Sequence, residues 1–75
     1  MKYKVTHHPQ NPRNRSRKYF GSKREAMAYA RSQIGCEYAE GQMPGMVHVE
    51  RQAENGWEWE VIASAHCNET RLTKA

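Results

Sequence analysis

Six side chains in this sequence carry metal-ligand atoms: His7, His8, His48, His66, Cys36 and Cys67. Zinc sites gather such ligands in pairs at short spacing, CxxC or HxxxH. Here the cysteines stand 31 positions apart, and His66 and Cys67 are neighbours whose side chains would leave an extended chain on opposite faces. No metal site and no cofactor are expected. Glu58 and Glu60, two apart on one strand face, are the nearest approach to a paired-carboxylate site. The chain has no aspartate, the commonest orienter of a catalytic histidine, and no phosphate-cradling glycine loop or nucleophile elbow. The two glutamates read as a solvated face, and the protein as a non-enzyme.

The segment with a distinct chemistry is Arg13-Asn14-Arg15-Ser16-Arg17-Lys18-Tyr19-Phe20. Alternate residues of an extended chain project together, so a strand with Phe20 inward puts Arg13, Arg15, Arg17 and Tyr19 on the other face. Guanidinium groups at that spacing track phosphates and release counterions, and an exposed tyrosine offers a ring to a base. A nucleic-acid surface is expected from Arg13, Arg15, Arg17, Lys18 and Tyr19, flanked by Lys23, Arg24 and Arg31. A solubilising basic loop is the competing reading.

The elements that must carry this segment follow from pattern. Lys2 to Thr6 alternates polar and apolar, which predicts a strand with Tyr3 and Val5 inward. The His7–Pro12 stretch holds two prolines and reads as a loop, and the basic segment follows as an arm or a returning strand. Ser22-Lys23-Arg24-Glu25 is a capping box opening a helix, with Ala26, Met27, Ala30 and Ile34 on one stripe and Gly35 as its stop. Residues 36–45 read as a loop. Met46–Arg51 and Trp57–Ala63 are the strongest strands, joined through Asn55-Gly56.

Two hairpin registers are available. A two-residue loop opposes Gln52 to Trp59 and Glu50 to Val61; a three-residue loop opposes Arg51 to Trp59, Val49 to Val61 and Val47 to Ala63. The second gathers apolar residues on one inner face and uses Gly56 as a left-handed turn residue, so it is the expectation, with Trp57 and Trp59 on the core face and Trp57 partly exposed at the hairpin end. It sets Glu50 against Glu60, a like-charge pair that calls for a nearby cation. Lys2 and Lys4 supply it if the first strand pairs beside the last.

Charge divides along the chain. Of 12 Lys plus Arg and 8 acids, all glutamate, residues 1–24 hold eight bases and no acid, whereas residues 25–75 hold four bases and all the glutamates. Glu50, Glu54, Glu58 and Glu60 thus form a second candidate surface, suited to a basic protein partner. At 75 residues with 37% apolar content, a single small domain with a modest core is expected, over residues 1–65, with the basic loop or strand at 7–20 and a fraying polar tail at 66–75. No run approaches the ~20 apolar residues of a membrane span. The start of the chain has no apolar leader, so a cytoplasmic protein with reduced thiols is expected.

The fold class implied is α+β, one helix packed on an antiparallel sheet, in the order β-β-α-β-β. In size and architecture alone this resembles small phage and mobile-element proteins. The functional expectation is a non-enzymatic module binding DNA or RNA backbone. The alternative is a phage-type protein that binds and inhibits or redirects a host protein or nucleoprotein complex.

Overall fold

The computed structural model describes residues 2–8, 15–35 and 45–75. In chain order the elements are β1 (Tyr3–His8), β2 (Ser16–Phe20), α1 (Lys23–Ser32), β3 (Met46–Gln52), β4 (Trp59–His66) and β5 (Thr73–Lys74). The strands form one antiparallel sheet in the order β2-β1-β3-β4-β5. β2 and β3 therefore run the same way on either side of β1, and α1 is the crossover between them.

The helix begins where its cap requires. Ser22 has extended backbone angles, and its Oγ accepts from the Glu25 amide at 3.3 Å. Ala26 and Ala30 are wholly buried, and their small side chains let the helix lie close against β1 and β3. Gln33 closes the last turn by donating its backbone amide to the Ala30 carbonyl, and Gly35 follows with φ of 85°. The expected glycine stop thus falls two residues beyond the cap itself.

On the helix side of the sheet, Val5, Val47, Val49 and Ala63 join Ala26, Ala30 and Cys67 in the core, each at most 1% exposed. Phe20, Tyr29, Met27 and Leu72 pack around its margin. Burying a valine of this kind contributes about 1.5–3 kcal/mol, so three valines and a row of alanines make a small reserve.

Three expectations are corrected. First, the hairpin takes the other register: Gln52 faces Trp59, Arg51 faces Glu60 and Glu50 faces Val61. A bulge after Val49 then shifts the ladder by one residue, so that Val49 faces Ala63 and Val47 faces Ala65. The bulge lets β4 place Ala63 and Ala65 toward the helix while Val61 faces away from it. The connecting loop runs from Ala53 to Glu58. The Gly56 amide donates to the Ala53 carbonyl, and the Asn55 side chain accepts from the amides of Trp57 and Glu58. Gly56 sits there at φ 77°, where a side chain would strain the backbone.

Second, the tryptophans are not core residues. Trp57 is 87% exposed in the loop, and Trp59 is half-buried on the sheet face away from the helix. Third, the end of the chain returns to the sheet: Thr73–Lys74 pairs with Ala63 and Ser64 and adds a fifth strand. The turn that brings it back is held by Glu69, whose Oε1 accepts from the His66 amide at 2.8 Å while its own amide donates to the His66 carbonyl.

Candidate nucleic-acid interface

Among the described residues, helix α1 covers one face of the sheet and no element covers the other. The strand registers fix what stands on that open face. One cross-strand row reads Tyr19, Lys4, Glu50, Val61, and the next reads Arg17, Thr6, His48, Ser64. Arg15, exposed, immediately precedes β2. The inner positions of this face are polar yet nearly dry. Thr6 is 4% exposed and donates its hydroxyl to Glu50 Oε2 at 2.8 Å, and Lys4 Nζ lies 3.6 Å from the same carboxylate oxygen.

Two aromatic rings roof this ion pair. Lys4 Nζ sits 4.3 Å from the centroid of the Trp59 ring, within cation–π range. Tyr19 meets Trp59 from the opposite edge strand with centroids 6.0 Å apart and planes tilted by 60°. Side chains of β2 and β4 thus reach toward each other across β1 and β3. Tyr19 remains 48% exposed and Val61 39%, so the roof presents apolar surface to solvent beside the row that carries Arg17.

Glu50 is therefore satisfied by Lys4 and Thr6, and the expected Glu50–Glu60 opposition does not occur. Lys4 fills the role foreseen for a cation, but because β1 pairs with β3 and not with the last strands. Glu60 instead binds Arg51 at 2.8 Å, on the surface, and this contact raises the already high pKa of the guanidinium.

The other sequence-derived positions separate. Lys18 points to the helix side, where its Nζ lies 4.8 Å from the Tyr29 ring and 6.0 Å from that of Phe20. Alternation along β2 thus removes Lys18 from the face shared by Arg17 and Tyr19. Lys23, Arg24 and Arg31 are exposed on the helix, in the layer on the other side of the sheet from Arg17 and Tyr19. Glu54 and Glu58 are exposed at the hairpin loop beside Trp57. Arg13, Asn14 and Cys36 lie outside the described residues.

Trp59, Lys4 and His48 belong to the open face, and the basic segment alone does not point to them. The available signal is the polar alternation of β1: Lys4 and Thr6 must share a face, and a glutamate opposite them requires cover.

Among the described residues, no cluster of three metal-ligating side chains occurs, no buried side-chain nitrogen or oxygen lacks a hydrogen bond, and no helix is long and apolar enough to cross a membrane. His7 Nε2 and the buried Cys67 sulfur are hydrogen-bonded at 3.4 Å, at the sheet end remote from the hairpin. A shallow depression at the hairpin end is lined by Lys2, Tyr3, Arg51 and Glu54 among others, polar side chains of both signs. The chain matches no protein-family model, no curated protein and no solved structure.

Proposed function

We propose that the protein is a non-enzymatic nucleic-acid-binding module that holds the phosphate backbone through Arg15, Arg17 and the basic segment they belong to. One observation carries this reading: Arg17 and Tyr19 project side by side from an edge strand onto a sheet face that none of the described elements covers. Arg17 has no acidic partner across the ladder, since Thr6 stands opposite it and Glu50 is taken up by Lys4 and Thr6. Exposed Lys23, Arg24 and Arg31 extend the positive field that draws a polyanion in.

The test is binding as a function of salt. Affinity for a short labelled oligonucleotide falls steeply as salt rises, and Arg15→Ala with Arg17→Ala weakens every sequence alike. The slope of log affinity against log salt drops by about 0.7–0.9 for each phosphate that no longer meets a guanidinium. Absence of binding at low salt sinks the reading.

A second reading draws on a different place in the molecule. Trp57 stands almost fully exposed between Glu54 and Glu58 at the hairpin tip, as an anchor for a basic protein surface would. Capture of a protein partner that survives nuclease treatment and is abolished by Trp57→Ala favours it.

A further inference from the structure

We infer that the nucleic acid bound is a single strand, laid across the open sheet face with a base stacked on the Tyr19–Trp59 pair and phosphates on Arg17 and Arg15. This inference rests on the proposed function and narrows it to one class of ligand.

Three observations carry it. The aromatic pair stands on the same face as Arg17. Tyr19 follows Arg17 by two residues on β2, and Trp59 closes on Tyr19 from β4 with ring centroids 6.0 Å apart. A strand whose phosphate is held at Arg17 therefore has its neighbouring base within reach of a ring that is 48% exposed. Bases stack on such rings only when they are free of a partner, which a duplex does not offer.

The width of the face also disfavours insertion into a major groove. Five strands spaced about 4.8 Å apart make a sheet about 19 Å across, whereas the major groove of B-DNA is about 12 Å wide and takes one helix or a two-stranded ribbon. Here β2 is paired to β1 within the sheet body and backed by the helix, so Tyr19 and Arg17 lie on a broad surface and not on a protruding ribbon. A flexible single strand conforms to a broad face; a rigid duplex touches it along a line.

Finally, the floor beneath the rings is electrically closed. Lys4 and Glu50, with side chains only 12% and 16% exposed, neutralise each other under Trp59. The Glu50 carboxylate is thus not left to repel a phosphate arriving over it. No described residue on this face is placed to single out a sugar, so oligo(dT) serves as the probe beside a mixed-sequence strand.

The experiment compares a labelled mixed-sequence strand of about fifteen nucleotides with the duplex it forms with its complement, by fluorescence anisotropy at one fixed salt concentration. The single strand is expected to bind at least about tenfold tighter, a difference one stacked base supplies. Tyr19→Ala and Tyr19→Leu, the second keeping apolar cover over Lys4, each weaken single-strand binding by about 5- to 150-fold, while Tyr19→Phe stays within about twofold. Circular dichroism confirms that each variant is folded. In a Trp57→Phe background Trp59 is the sole tryptophan, and oligo(dT) quenches its emission.

Equal affinity for strand and duplex, or undiminished binding by Tyr19→Leu, overturns the inference and leaves the phosphate-binding reading standing. Loss of both strand and duplex binding at low salt overturns the reading as well.

Discussion

The two faces of the sheet are dried by different means. Toward the helix, Val5, Val47, Val49 and Ala63 meet Ala26 and Ala30 with essentially no exposure, and the contacts are all apolar. Away from it, Thr6 is nearly as buried, yet its neighbours are a lysine, a glutamate and two aromatic rings. Among the described residues there is one helix, and it covers one face. The other face covers itself with long side chains, and those that form its outer layer keep part of their surface free. The core on the helix side is thus closed to solvent, while the other face is both structure and candidate interface.

The sharpest way to break this contrast is a charge on the helix side. Ala30→Glu places a carboxylate at a wholly buried position in an apolar cluster, and burial without a partner costs several kcal/mol. With so small a core the domain is expected to be unfolded, as read by the loss of cooperative urea unfolding.

On the open face the same logic yields a smaller and more particular effect. Glu50→Ala leaves the Lys4 ammonium and the Thr6 hydroxyl without the carboxylate they share, at a cost of about 2 kcal/mol. Adding Lys4→Met to a Glu50→Leu change removes both charges and keeps apolar bulk under Trp59, so most of that stability is recovered. Urea midpoints of the single and double variants check this. If the double variant is as unstable as Glu50→Ala, the ion pair stabilises the face in its own right and is not merely tolerated there.

The same contrast explains what sequence pattern reveals. The alternating strand from Lys2 to Thr6, the Ser22 cap and the alanine stripe of α1 are local features, set by period and by one hydrogen bond, and the structure bears them out. The fold class is likewise α+β with one helix on an antiparallel sheet, with one strand more than expected. The hairpin register is a non-local feature. The rule that apolar residues gather on one face selects the wrong one, because this sheet uses apolar residues on both. Trp59 and Val61 belong to the roof of the open face, and the bulge after Val49 changes the alternation of β4 halfway along. No bulge-free register satisfies both Val49 against Ala63 and Glu50 against Val61. The site is half legible for the same reason. Alternation along β2 predicts that Arg17 and Tyr19 share a face, but Lys18, counted with them by charge, turns to the helix side and stacks on Tyr29. Nothing local to the basic segment announces Trp59, which lies forty residues on from Tyr19 and on the far side of β1 and β3.

The smallest expected effect lies at the margin of both faces, where β5 returns to the sheet. The Glu69 carboxylate accepts from the His66 backbone amide at 2.8 Å and faces His66 Nδ1 at 2.9 Å. These contacts favour the ionised form, the amide bond foremost, and hold the Glu69 pKa below its ordinary value of 4.5. The sign follows: a carboxyl that is more acidic in the folded chain binds its proton more readily once unfolded. Its contribution to stability is therefore whole above the unfolded value of about 4.5 and drains away as pH falls through the lower folded value. Because Glu69 is exposed, the effect is local: acid loosens the turn and the Thr73–Lys74 pairing before it touches the core. Relative to the intrinsic rate at each pH, amide exchange at Ala75, which donates to the Ile62 carbonyl, should accelerate below pH 4.5 in the native chain. In Glu69→Gln, which keeps an acceptor but has no charge to lose, that acid-specific acceleration should be absent. If both chains respond to acid alike, the turn is held by its backbone geometry and not by the carboxylate.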